Sequence, residues 1–257
     1  MIDVGAGTPL VLVPGIQGRW EWMEPSVEAL AREYRVITAS LPGEPGVGTS
    51  FGADTDFDVF VEHLDDLLDA SGVTSAIICG VSFGGLIALR YAARRSNRVR
   101  GLILVSTPGP RWRMNPTQAR YASWPTLASP LFAAGAVRRG WREMCALFPH
   151  PGARLSASAS TAWRVVRAPA VPRRMSHRAR LAERQNFEDD CTRIQSPTLV
   201  VAGERDLDQV VPCDESMSYL NLIRGSSFQL FERTGHLGTV LAPERFADIV
   251  SQFGRTL

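Results

Sequence analysis

Six short apolar runs alternate with helix-like segments along this chain, and that rhythm constrains the fold more than any other feature. The runs are PLVLVPG, RVITASLPG, SAIIC, GLILVSTPG, PTLVVAG and SSFQLFE. They lack polar alternation, as strands covered on both faces do. Between and after them come MEPSVEALAREY, VFVEHLDDLLDASG, LIALRYAA, DESMSYLNLI and APERFADIVSQF, which place apolar residues at helical spacing. Strand and helix in alternation predict an α/β fold, a mostly parallel sheet of about six to eight strands with helices on both faces. A length of 257 residues suits one large domain, or one domain carrying an insertion.

The rhythm breaks between Gly109 and Ile194. This segment has no clear strand, and it holds Trp112, Trp124, Trp141 and Trp163. Half of the chain's 28 arginines fall between Arg111 and Arg184, and the whole segment has only Glu143, Glu183, Glu188, Asp189 and Asp190 against them. We expect residues 1–108 and 195–257 to form the core and 109–194 to form a helical cap. The net charge of +2 gives no ground for a nucleic-acid partner. The chain has no lysine, which reads as a genome-wide bias before it reads as function.

Cys79, Cys145, Cys191 and Cys213 are scattered without metal-like spacing, so no metal is expected. The stretch MIDVGAGTPL lacks the basic and apolar regions of a signal peptide. No run reaches the ~18 apolar residues of a membrane span. A cytoplasmic protein without a membrane span, acting on a small molecule, is the expectation.

The third apolar run leads into Cys79-Gly80-Val81-Ser82-Phe83-Gly84-Gly85, followed at once by a helix-like segment. Glycine weakens strand and helix interiors alike, by roughly 0.5–1 kcal/mol relative to alanine. Glycines on both sides of a serine at such a junction therefore point to a turn too tight for a Cβ. Gly80-Val81-Ser82-Phe83-Gly84 fits a nucleophile elbow, in which the serine stands exposed on a strained turn. The helix that follows supplies its N-terminal dipole for a developing oxyanion. A glycine-rich packing turn is the plain alternative, and the strand–turn–helix context weighs against it.

Serine needs a base, and the base an orienting acid. Among the four histidines, His63 lies in the acidic helix VEHLDD, and His150 and His177 lie in the insertion. His236, in RTGHLG just past the last strand, would reach the carboxyl end of the sheet. The acid should fall between serine and histidine in the chain. After PTLVVAG comes ERDLDQVVP, which offers Asp206 first and Asp208 as its rival.

With these residues assembled, the chain resembles the α/β-hydrolase-fold serine hydrolases, specifically the capped esterase, lactonase and C–C hydrolase group. VLVPGIQGRWEW is similar to the family's oxyanion stretch, with Pro14 in the place of a histidine. YRVITASLPGEPGVGTS resembles the next strand and its glycine-rich loop, with Ser40 where aspartate is common. GVSFGGLIALRYAA, GLILVSTPG, LVVAGERD and TGHLGTVLAPERFADIVSQF extend the resemblance over nearly the whole chain outside the insertion. No counterpart of the family's usual first hairpin is expected at the N-terminus. The loop from Asp206 to Pro212 runs two residues longer than the family pattern, which keeps Asp208 in play.

The resemblance implies a catalytic triad of Ser82, Asp206 and His236, with Asp206 at the family's spacing from Gly203. It implies an oxyanion hole from the backbone N–H groups of Ile16 and Phe83, and no metal or organic cofactor. The implied reaction is cleavage of a carboxylic ester through an acyl-enzyme. C–C bond or lactone hydrolysis on the same triad is the alternative, and a non-catalytic receptor on this fold is a second. The substrate pocket is expected to draw on Trp20 and Trp22 beside the oxyanion loop and on Trp124 and Trp141 from the cap.

Overall fold

A computed structural model describes residues 1–48, 51–52 and 54–257, without the side chains of 129–133. Thr49 and Ser50, the end of the glycine-rich loop, lie outside the described residues. In chain order the elements are β1 (Ile2–Val4), β2 (Thr8–Val13), α1 (Glu24–Leu30), β3 (Tyr34–Thr38), α2 (Val59–Ala70), β4 (Ala76–Val81), α3 (Phe83–Arg94) and β5 (Val99–Val105). Five helices follow: α4 (Pro116–Ser123), α5 (Pro125–Leu147), α6 (Pro151–Arg167), α7 (Pro172–Glu183) and α8 (Glu188–Arg193). Then come β6 (Thr198–Gly203), α9 (Cys213–Met217), β7 (Ser227–Phe231), α10 (Gly238–Leu241) and α11 (Pro243–Gly254).

The strands form one sheet in the order β1-β3-β2-β4-β5-β6-β7. β1 is antiparallel to β3 and the other pairs are parallel. The sequence rhythm recovers six of these strands. The remaining strand, β1, is three residues long and too short to show a period; it pairs with β3 at the sheet edge, and no N-terminal hairpin with β2 forms among the described residues.

The apolar runs lie where their composition requires. All six residues of β4 are buried, and its side chains divide between the two faces. Ile78 joins Val11, Leu104 and Val200 on one face, covered by α2, α3 and α8. Ile77 and Cys79 join Leu10, Leu12 and Ile103 on the other, covered by α1 and α11. α2 is cut to fit, since Phe60, Val61, Leu64, Leu67 and Leu68 form one buried stripe. It ends at Gly72, whose φ of +64° is the left-handed stop that favours glycine. In α11, Pro243 opens the helix and Phe246, Val250 and Phe253 bury its inner face.

Two consequences matter for function. The parallel strands β2, β4, β6 and β7 all end on one edge of the sheet, so the loops after Val13, Val81, Gly203 and Phe231 gather there. The helices inserted between β5 and β6 also differ in how they pack. α8 belongs with the core, where Phe187 and Cys191 join the cluster over α3 and Asp190 Oδ2 accepts from buried Arg90 Nε at 2.6 Å. α4, α5 and α7 pack on one another above the strand ends, while α6 rests mainly against α5 and the turn at Trp20–Met23.

Candidate active site

The elbow follows from its glycines. Ser82 has φ 56° and ψ −121°, a conformation costly for a residue with a side chain. Its N–H is held by Val105 O at 2.8 Å, and its carbonyl accepts from Gly85 N at 2.9 Å. A Cβ at Gly80 would stand 2.2 Å from Gly84 O, and one at Gly84 2.3 Å from Val13 O. Strand, turn and helix therefore close on each other only with glycine at both positions. The result is a hydroxyl held at the mouth of the sheet with α3 starting behind it.

Ser82 Oγ lies 3.1 Å from His236 Nε2, and His236 Nδ1 lies 3.2 Å from Asp208 Oδ2. With its proton on Nδ1, the imidazole donates to Asp208 and accepts from Ser82. The partner acid is therefore Asp208, which corrects the expectation of Asp206. The reason lies in the turn after β6. Leu207 N and Asp208 N both donate to Glu204 O, at 3.0 and 2.9 Å, so residues 204–208 wind one tight turn. That turn leaves Asp206 exposed and swings Asp208 inward to a buried position. Gly235 is needed beside it, since a Cβ there would stand 2.5 Å from Leu207 O.

Asp208 has every reason to stay ionised. Burial opposes its charge. The nearby imidazole, its hydrogen bond and the N–H groups of Val211 and Val210 outweigh burial and hold the carboxyl below the usual range. Those two N–H groups reach Oδ1 at 2.9 and 3.0 Å, leaving Oδ2 for the histidine. Ile16 and Phe83, the residues expected to supply oxyanion donors, both line the cavity above Ser82. Phe83 is the first residue of α3, so its N–H has no acceptor within the helix.

Two charged residues that the sequence did not single out complete the surroundings. Glu143 projects from α5 with 1% of its surface exposed, and its Oε2 accepts from Leu237 N at 2.9 Å. It thus ties the inserted helices to the histidine loop. Burial drives its carboxyl upward, against the N–H groups of Leu237 and Gly235 and the imidazole of His236. Arg178 on α7 is fully buried, and its guanidinium donates to Ile16 O at 3.1 Å, Pro42 O at 3.0 Å and Glu44 Oε1 at 2.8 Å. It braces the loop that carries Ile16. Gly18 makes room for it, since a Cβ there would lie 2.2 Å from the guanidinium. Neither residue carries a motif, and in an arginine-rich or helical stretch each reads as a solvated charge.

Above Ser82 lies a cavity of about 180 Å³, walled by Phe83, Leu86, Trp112, Met175 and Val211 among others. Ser82, Gln118, Tyr121 and Ser176 are its polar residues among the described lining, which holds no charged side chain. The tryptophans expected here are elsewhere. Trp124 and Trp141 are 66% and 51% exposed. Trp22 donates from Nε1 to Ala168 O at 2.7 Å, bridging core and insertion, and neither it nor Trp20 is among the lining residues. The aromatic walls come instead from Phe83, Trp112 and Tyr121. No group of three or more histidine, cysteine or carboxylate side chains that could hold a metal occurs among the described residues.

The fold agrees with comparison to known proteins. The family profile of the α/β hydrolase fold matches residues 8–243. The chain belongs to the α/β-hydrolase family. It is 27% identical to 2-hydroxymuconate semialdehyde hydrolase of Pseudomonas sp. strain CF600, over 98% of this chain and 88% of that one. It is 24% identical to 3-oxoadipate enol-lactonase 1 of Acinetobacter baylyi, over 93% and 85%. The solved structure of an esterase from Exiguobacterium antarcticum superposes with a TM-score of 0.80 at 21% identity, covering 98% of this chain and 94% of that one. The chain is thus an α/β hydrolase in fold and broad activity.

Proposed function

We propose that this α/β hydrolase cleaves a neutral, largely apolar carboxylic ester by two-step acyl transfer. The observation that carries the reading is the chain of contacts from Ser82 Oγ to His236 to Asp208 at the floor of an uncharged cavity. His236 Nε2 takes the hydroxyl proton as Ser82 Oγ bonds to the ester carbonyl carbon. Asp208 holds the imidazolium that forms. The backbone N–H groups of Ile16 and Phe83 receive the carbonyl oxygen as its charge develops. The tetrahedral intermediate collapses, His236 protonates the departing alkoxide, and the acyl group stays on Ser82. Water, deprotonated by His236, then releases the carboxylic acid and restores the serine.

The lining favours the ester. A carboxylate brought into this cavity would meet no cationic side chain among the described lining residues, and burying an unpaired charge is costly. C–C bond or lactone hydrolysis on the same triad is the second reading, supported by the full-length similarity to the semialdehyde hydrolase and the enol-lactonase. Residues α4–α7 act in this reading as a cap that shapes the acyl or alcohol pocket. A fluorophosphonate probe should label Ser82 in the wild type and fail to label S82A. Turnover of a p-nitrophenyl ester series, a lactone series and a vinylogous 1,5-diketone series should be highest for the esters. Labelling at Ser82 with turnover confined to the diketones would replace the first reading by the second.

A further inference from the structure

The inserted helices carry a feature that the active site does not use. Helix α6 is inverted. Its half-buried residues are Arg154, Ala157, Ser158, Thr161 and Arg164, one stripe at helical spacing that faces the protein. Its exposed residues include Leu155, Ala159, Ala162, Trp163 and Val166, a stripe on the other side. The polar face thus packs inward and the apolar face meets water, the reverse of an ordinary surface helix. Leu155 is 73% exposed, Trp163 61% and Val166 71%. On α5, Val137 and Trp141 are exposed in the same way, one turn apart.

Exposed apolar surface on this scale marks an interaction face. Its charge selects the partner. Residues 109–182 contain thirteen arginines and a single carboxylate, the buried Glu143. Arg178 is itself buried on Glu44, and Arg111, Arg167 and Arg174 pair with Glu188, Glu24 and Glu44, so the cationic excess rests on the other nine. The whole chain carries only +2, so the remainder is strongly acidic. A second copy meeting this face with its own insertion would set two strongly cationic surfaces against each other. A partner that is both apolar and anionic satisfies every group at once.

We propose that α5 and α6 form a docking face for an anionic phospholipid membrane. The Leu155, Trp163 and Val166 stripe enters the headgroup–acyl boundary, where tryptophan is favoured, and the arginines around it stay at the phosphate level. No helix among the described residues is long and apolar enough to cross a bilayer, so the protein lies on the surface.

Vesicle co-sedimentation of the full chain tests it. Wild-type protein should bind vesicles of phosphatidylcholine with phosphatidylglycerol at low salt, bind pure phosphatidylcholine far less, and lose binding as salt rises. The triple variant L155S/W163S/V166S should lose on the order of a thousandfold in partitioning, since each of the three side chains contributes on the order of one decade. Its melting temperature and its turnover of a water-soluble ester should match the wild type. Tryptophan emission should shift to the blue with anionic vesicles in the wild type and less in W163F. Absence of wild-type binding to anionic vesicles at low salt would overturn the proposal, as would wild-type partitioning by the triple variant. Self-association in the ultracentrifuge without lipid, abolished by the triple variant, would assign the face to a second copy instead and equally overturn it.

Discussion

Strand β4 and helix α6 bury their sequences in opposite ways. Every residue of Ala76–Val81 is buried, and all six side chains are apolar or absent. No residue of Pro151–Arg167 is fully buried, and its apolar side chains point outward. In β4 the environment can be read from composition, because a run that apolar is stable only between two covered faces. In α6 composition suggests an ordinary amphipathic helix, and only the packing shows which side faces the protein. Around β4 and the elbow, buried contacts fix every position, whereas α5 and α6 carry exposed surface beyond the few contacts, such as Glu143 with Leu237, that tie the insertion to the core. Substitutions in the two regions should therefore fail differently.

The largest effect should come from the elbow. S82A should lower turnover about a millionfold while the melting temperature stays near wild type. Activity within tenfold of wild type, measured on purified protein, would break the claim that the core holds the chemistry. The loop after β6 comes next. D208N should reduce turnover by about ten-thousandfold, as loss of the orienting acid does when geometry survives. D206N, at an exposed site, should stay within about twofold. Equal losses at the two positions would show that the tight turn at 204–208 is misread.

The contacts between core and insertion sharpen the comparison at a smaller scale. R178A leaves buried Glu44 with Arg174 Nη1, at 3.0 Å, as its remaining cation. It should cost less than the roughly 3–5 kcal/mol of a fully uncompensated buried charge, at about 2–3 kcal/mol in chemical denaturation. R178M should cost less in stability than R178A, because the methionine fills part of the space. A larger loss in turnover than in stability for R178M would show that the brace on Ile16 matters to the reaction itself. The smallest effect concerns Glu143, whose carboxyl is raised by burial. Such a group is neutral in both folded and unfolded chains well below the unfolded value of about 4.3. As pH rises from there through the folded value, the unfolded chain loses its proton first and stability falls. E143Q keeps an acceptor for Leu237 N–H and removes the charge. Its stability relative to wild type should improve between pH 4 and pH 7, as followed by thermal melting. A constant difference across that range would mean that burial does not raise the Glu143 carboxyl above its unfolded value. Asp208 has the opposite sign, since its folded value is depressed. Its contribution is present above the unfolded value of about 3.9 and is lost as pH falls through the folded one.

Much of the core was legible because its signals are local. Gly80-Val81-Ser82-Phe83-Gly84 is a backbone requirement written in five residues, and the contacts at Gly80 and Gly84 show why. His236 was recoverable from its place after the last strand. The register of the acid was not, because Asp206 and Asp208 stand two apart in a turn whose hydrogen bonds to Glu204 decide which one faces inward. The pocket tryptophans were misplaced for a related reason. Which way a tryptophan in the insertion faces depends on how its segment packs, whether it lies before α4, as Trp112 does, between α4 and α5, as Trp124 does, or within α5, as Trp141 does. Trp112 reached the cavity, whereas Trp124 and Trp141 faced solvent.

By itself, the sequence determined the strand–helix alternation, the parallel sheet, the serine elbow and the histidine beside it. Each is encoded by residues within a few positions of one another, where sterics and burial act on a short segment. The tertiary structure alone decided that Asp208 is the carboxylate that meets His236 and that Glu143 and Arg178 join the insertion to the loops carrying His236 and Ile16. It also decided that α6 turns its apolar stripe to the outside. These depend on which faces of distant segments meet, over separations of 94 residues for Glu143 and Leu237 and 162 for Arg178 and Ile16. No local pattern records such a meeting, because an isolated charge or stripe has the same sequence signature whether it is buried against a partner or left in water.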